Sequence, residues 1–315
     1  MADYSAIGAA ELANFIPAIT VDSANQSLGY LGKYLSMAKN VRKDFGTAFA
    51  TRGDVLTVPK RGALSVNNKT AKFNVTVQAP SDDAVTVTLN KHKEVTFIIE
   101  DVAKAMAIPG TMEGYARDAA MVLAEAIEQD LVDLYASAGT TLAIGTYSAD
   151  WVKALTAARR ALVSNKVNKL APVFAQLDPY AYEALLNNTN LTNAYAKGDK
   201  SAIEAGLANM VRGIQVDESQ IVGIDATTSP DTYYDLVYGP DAIALCMRPL
   251  SDAGNGLGAQ QTTVLDERTG LALRSTVSYD AMKLAVQVTL DCLYGVAIIR
   301  PEHVVAISHE LGGNT

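Results

Sequence analysis

The sequence predicts an α+β chain, with β structure on either side of a long helix and a mixed α/β middle. Three observations carry this. Apolar residues alternate with period two through residues 73–77 (FNVTV) and 85–89 (VTVTL). The spacing changes to three- and four-residue steps from Thr111 onward. The run 270–307, GLALRSTVSYDAMKLAVQVTLDCLYGVAIIRPEHVVAI, then strings several strand-length apolar segments together with few residues of catalytic type.

Residues 1 to about 48 hold short amphipathic pieces without a sustained period, as in an arm ordered by a partner. Between Leu31 and Arg61 the basic residues Lys33, Lys39, Arg42, Lys43, Arg52, Lys60 and Arg61 face only the acids Asp44 and Asp54. That suits a solvated arm, or a segment that meets acidic neighbours. Gly53-Asp54 opens a β stretch through Val58 and Pro59. Pro80-Ser81-Asp82-Asp83 reads as the turn between strands 73–77 and 85–89. A hairpin of this kind has too little core to stand alone, so it must lie on its own domain or on a neighbour.

After strand 95–99, Pro109-Gly110 breaks the chain. Thr111 is the expected N-cap of a helix through Ala138, about 40 Å long at ~1.5 Å per residue. Tyr115, Ala119, Val122, Ala126, Ile127, Leu131 and Leu134 mark its expected apolar side, and Gly139 its C′ stop. A second helix starts near Ser148 and runs through Trp151, Leu155, Ala158 and Leu162. Residues 170–177 read as a buried strand. Asp178-Pro179, an N-cap followed by proline, opens a short helix to Leu186, which Asn187 to Asn190 end. Strands are expected at 213–216, 233–238 and 242–247, and a glycine-rich loop at 251–261.

At 315 residues, 49% hydrophobic and 19% charged, the chain can bury one or two cores and is not a disordered sequence. No run approaches the ~20 apolar residues of a membrane helix, and the start lacks a basic secretory n-region, so a cytoplasmic protein is expected. Cys246 and Cys292 lie in apolar runs and read as buried free thiols. A net charge of −8 argues against a sequence-specific nucleic-acid binder but not against lying close to DNA without gripping it.

Motifs for chemistry are missing. Gly254-x-Gly256-x-x-Ala259 fits a loose dinucleotide pattern, but Pro249 and Ser251-Asp252 separate it from the preceding strand, and Gln260 to Thr263 lead toward another strand. There is no GxxxxGK[ST], HExxH or GxSxG. His92 sits among lysines. His303 and His309 have no cysteine or carboxylate at metal-ligand spacing in the sequence. No catalytic, cofactor-binding or metal-binding residue is assigned, and no cofactor is expected.

The ending Leu290-Asp291-Cys292-Leu293-Tyr294-Gly295-Val296-Ala297, then Arg300-Pro301-Glu302, resembles the last strands of tailed-bacteriophage major capsid proteins of the Hong Kong 97-type fold. Similar strings are Thr88 to Lys93 leading into 95–101, Tyr115-Ala116-Arg117-Asp118 leading into 124–135, and Leu177-Asp178-Pro179 with 182–186. The resemblance implies an N-terminal arm (1–50), an E-loop β-hairpin region (51–99) and a P-domain with its spine helix (100–165). A mostly A-domain segment (166–265) and a return to P-domain strands (266–315) complete it. It implies pentamers and hexamers of an icosahedral head around double-stranded DNA, maturing by expansion. The expected partners are other copies of the chain, a separate scaffolding protein (no room precedes the arm for a built-in one), a portal protein and a decoration protein. The virion is the expected location, with assembly in a bacterial cytoplasm. Lys69 or Lys72 stands where cross-linking members place a lysine donor, but no acceptor or glutamate matches. An encapsulin-type nanocompartment shell is the nearest alternative, and an α/β enzyme with an unrecognised site is the alternative of a different class.

Overall fold

The computed structural model describes residues 36–43, 55–60, 64–72, 74–75, 77–79, 83–100, 111–146, 150–167, 171–188, 210–251, 259–266 and 271–310. The described helices are α1 (Met37–Asn40), α2 (Thr111–Val132), α3 (Trp151–Ser164) and α4 (Pro179–Leu186). Short 3₁₀ turns follow α2 (Asp133–Ser137) and precede the last strand (Pro301–His303).

Three sheets organise the strands. β1 (Val55–Lys60) pairs antiparallel with β2 (Asp83–Thr88), Val55 opposite Thr88. The second sheet centres on the long strand β13 (Ala285–Ile298). It is flanked by β12 (Leu271–Asp280) and β3 (Lys91–Glu100) over its first part and by β10 (Ile243–Arg248) over its last. β11 (Ala259–Asp266) closes that sheet beside β12. The third runs β4 (Thr140–Thr146), β14 (Val304–Glu310), β9 (Thr232–Tyr238), β5 (Phe174–Leu177), β7 (Ile214–Glu218) and β6 (Met210–Val211). β8 (Gly223–Asp225) pairs with β9. The α+β class is thus observed, and the segments that carried the resemblance meet in space: Lys91, His92 and Lys93 register opposite Tyr294, Leu293 and Cys292.

Long apolar strands pack one face on α2. Leu123, Ile127 and Leu131 of the helix join Leu271, Leu273, Leu290, Cys292 and Tyr294 in the first core. A second core sets Trp151, Leu155 and Leu162 of α3 against Leu177, Val237, Val305 and Ile307. A small third cluster, Val58, Val87, Leu89, Ala244, Cys246 and Ile299, seats the base of the β1–β2 hairpin on the chain's own sheet. Cys246 and Cys292 are buried free thiols, and burial pushes Cys292 up to about 12.

Several expectations need correction. β2 pairs with β1 and not with 73–77. The described residues 74, 75 and 77 form no strand; Phe73 and Thr76, and the predicted turn at 80–82, lie outside the described residues. Period-two patterning marks a strand's faces but not its partner. The buried side of α2 is Ala116, Ala119, Ala120, Leu123, Ala124, Ile127 and Leu131, while Tyr115 and Val122 are exposed. The α-helix stops at Val132 and tightens into a 3₁₀ turn. Gly139 is not a left-handed stop: its amide donates to the Pro301 carbonyl (2.9 Å), and a Cβ there would lie 2.3 Å from that oxygen. Ala259 to Gln261 belong to β11, not to a loop. α3 starts at Trp151, close to the expected start, and Asp150 caps it, its side chain accepting from the Lys153 amide. Asp178 caps α4 as the sequence indicates. Of the expected arm only 36–43 is described, and the Pro109-Gly110 break lies outside the described residues.

Candidate assembly interface

Beyond the paired strands, the segment between β1 and β2 leaves the body. Ser65 and Gln78 face each other across it: the Ser65 amide donates to Gln78 Oε1 (3.0 Å), and Gln78 Nε2 donates to the Ser65 carbonyl (2.6 Å). One amide side chain thus supplies the two bonds of a missing rung and holds the limbs together. Apolar side chains here have no cover from the chain's described residues: Val66 is 96% exposed, Val77 88% and Leu64 70%. Lys69 Nζ donates to the Thr70 carbonyl (2.9 Å) near the turn, where Lys72 takes φ 70°. The base is anchored differently. Gly295 of β13 passes so close beneath the end of β2 that a Cβ would meet the Thr88 carbonyl oxygen at 2.1 Å. Only a residue without a side chain allows that approach. Tyr115, Met121 and Val122 add exposed apolar area along α2.

The segment 36–43 is held by a buried carboxylate. Glu128 of α2, 2% exposed, accepts from the amides of Ser36 (2.7 Å), Met37 (3.0 Å) and Ala38 (3.1 Å) at the start of α1. Those amides are the donors a helix start leaves unpaired. Burial pushes the Glu128 carboxyl above its ordinary range, against the opposing pull of these amides. Beyond α1, Arg42 adds a parallel bridge to β10, its amide donating to the Ile243 carbonyl (3.0 Å) and its carbonyl accepting from Leu245 (3.0 Å).

Two charged clusters fasten α2 and the second sheet. Lys91 Nζ lies 2.6 Å from Asp130 Oδ1, Lys93 Nζ 3.8 Å from Oδ2, and the Tyr294 hydroxyl donates to Oδ2. Burial works against the Asp130 carboxylate, but the Lys91 and Tyr294 hydrogen bonds and the nearby lysines outweigh it and hold its pKa below the ordinary value. Arg274 grips Asp291 with two donors (Nε 3.0 Å, Nη2 2.6 Å), and His92 Nε2 stands 2.8 Å from the same carboxylate. His92 is therefore tied to a carboxylate as well as half exposed.

Sequence spacing puts no metal-ligand carboxylate beside His309. The fold brings two carboxylates to it: Nε2 lies 3.4 Å from Asp178 Oδ1 and 3.1 Å from Asp235 Oδ2, all three side chains being shut off from solvent. Asp235 and His309 are diagonal neighbours on paired strands, since Ile307 stands opposite Asp235. The Asp178 amide donates to Asp235 Oδ1 (2.8 Å), and Asp178 Oδ1 accepts from the Ala181 amide (2.7 Å). The ring of Trp151 meets His309 edge-on at 5.2 Å, and Tyr233 stacks on it at 5.7 Å. Burial pushes Asp235 up to about 6; burial pulls His309 down, but the two carboxylates beside it win and raise it to about 9. Asp178 was legible as a cap. Its role here was not, because cross-strand neighbours leave no local pattern. Gly254 and Gly256 of the dinucleotide-like string lie outside the described residues, and Ala259 begins a strand, not a helix.

Comparison with known proteins follows the same line. No family model and no curated protein matches the sequence. Solved structures do match. A chain of Mycobacterium phage Che8 superposes with TM-score 0.63 at 20% identity, over 87% of this chain and 90% of that one. The capsid of cyanophage P-SCSP1u gives 0.61 at 16%, over 83% and 85%. The capsid of Ralstonia phage GP4 gives 0.59 at 11%, over 84% and 85%. The chain has the phage capsid fold. At these identities the likeness is one of fold, and it spans most of each chain.

Proposed function

We propose that this chain is the major capsid protein of a tailed phage, building pentamers and hexamers of an icosahedral head around double-stranded DNA. The observation that carries the reading is the shared fold together with an outreaching segment, 64–79, whose described apolar residues lack cover from the chain's described residues. In this reading that segment is the E-loop and lies over a neighbouring copy. The segment 1–50 is the arm, α2 the spine helix of a P-domain spanning 100–165 and 266–315, and 166–265 mostly A-domain. The role is structural, with no catalysis by this chain. A scaffolding protein, a portal and a decoration protein are the proposed partners, the virion the proposed location, and a bacterial cytoplasm the site of assembly.

A shell built from many modest contacts between copies would form steeply with concentration. The test replaces residues 64–79 with a short Gly-Ser linker. Val58 and Val87 at the hairpin base are buried in the chain itself, so the variant keeps its fold. The expected result is native circular dichroism with no closed particles by electron microscopy. Normal particles would show that the loop makes no essential contact. A wild-type chain that stays monomeric at high concentration, with and without co-expressed neighbouring genes, would overturn the shell reading itself.

A further inference from the structure

The Asp178–Asp235–His309 cluster belongs to neither the hairpin nor the arm, and the assembly reading leaves it unused. Its partnering is incomplete. Asp178 Oδ2, Asp235 Oδ2 and both ring nitrogens of His309 are buried without a hydrogen-bond partner of normal geometry. One ligand atom from each residue lies within 4.8 Å of the other two. Buried polar atoms are almost always satisfied, so the orphaned His309 Nε2 and Asp235 Oδ2, 3.1 Å apart with Asp178 Oδ1 3.4 Å from the same nitrogen, point to a missing occupant.

Distances and charge describe that occupant. Donors about 2.0–2.2 Å from one ion stand roughly 3.0–3.4 Å apart at octahedral to tetrahedral angles. The two Nε2–carboxylate separations, 3.1 and 3.4 Å, fall on that range. A divalent cation that displaces the ring proton of His309 would neutralise the two carboxylates beside it. One imidazole nitrogen with carboxylate oxygens suits a first-row divalent metal rather than magnesium or calcium, which favour all-oxygen shells. The supports are rigid: a helix cap, a mid-strand position and a strand end, with Asp235 Oδ1 held by the Asp178 amide and Asp178 Oδ1 by the Ala181 amide. We propose that Asp178, Asp235 and His309 bind one divalent first-row metal ion, with Zn²⁺ chemistry, tying β14 to β9 and to the start of α4. A water or a second carboxylate oxygen would complete four-coordination.

The chain carries its own reporter. Trp151 is its only tryptophan, and its ring packs on His309. Full-length protein stripped with a chelator is titrated with Co²⁺ while Trp151 fluorescence and the visible cobalt bands are followed. The expected result is saturable quenching at one equivalent per chain, reversed when Zn²⁺ displaces Co²⁺. Asp235→Asn and His309→Gln should lose the quenching, whereas His92→Gln and His303→Gln should keep it. If the first pair does not fold, the wild-type titration with the His92 and His303 variants still decides. Absence of saturable quenching in the wild type, or its survival in folded Asp235→Asn, would overturn the proposal and leave an Asp–His–Asp ion triad.

Discussion

Replacing Glu128 with alanine isolates the contact between the long helix and the arm. The carboxylate accepts three backbone amides, from Ser36, Met37 and Ala38. Hydrogen bonds to a charged group contribute about 1.5–3 kcal/mol each, but they do not sum here, because burying the carboxylate costs part of that gain. A net loss of about 3 kcal/mol is expected, and at ~1.4 kcal/mol per decade it corresponds to more than a 100-fold rise in the population with the arm detached. The loss is local. Once α1 lifts off, water satisfies its amides, and the first core gives up Met37, Ala38 and Val41 while the second keeps all its members. Native-state hydrogen exchange reads this directly. Protection of the Ser36, Met37, Ala38 and Arg42 amides should fall by about two orders of magnitude, while the β9 and β14 amides change little. Glu128→Gln, which keeps one acceptor oxygen, should fall between. Unchanged protection at the arm, or an equal loss throughout the chain, would refute the idea that Glu128 tethers this segment specifically.

Other consequences can be checked with ordinary stability measurements. Leu123→Asp puts a charge where the side chain is 1% exposed, a loss of several kcal/mol that matches a domain's whole stability, so insoluble protein is expected. Leu134→Asp, half-buried in the 3₁₀ turn, should cost only about 1–2 kcal/mol and stay soluble. Gly295→Ala must push the end of β2 away by about 1 Å, at ~1–3 kcal/mol in chemical denaturation. Asp130 has a folded pKa below its unfolded value of 3.8, set by Lys91, Tyr294 and Lys93. Its stabilisation is therefore full above that value and is lost as pH falls through the folded pKa, so Asp130→Asn should flatten the acid limb of the stability curve below about pH 4.

What the sequence revealed depended on range. Asp178-Pro179 named a helix start correctly, because cap and proline act within one turn. The late strands were legible because strands covered on both faces read as apolar runs. The buried side of α2 was misplaced, since alanines form much of its true contact while Tyr115 and Val122 point outward. Pairing partners were not legible: β2 alternates equally well against 73–77 or against β1, and only the seat on Ala244 and Cys246 decides. The Asp–Asp–His cluster is the extreme case, assembled from three segments whose chemistry is invisible until β14 lies beside β9.

The order in which the strands find their partners has a consequence for synthesis. β3 is complete early but pairs with β13, and β4 pairs with β14. As the chain leaves the ribosome, both strands therefore wait with bare edges until the final strands emerge. Such high contact order slows folding and leaves unpaired edges open to wrong neighbours. It also makes completion all-or-none: a nascent or prematurely terminated chain lacks the strand that closes either sheet. Closure of both sheets thus rests on β13 and β14, and a chain cut before them keeps β3 and β4 unpaired.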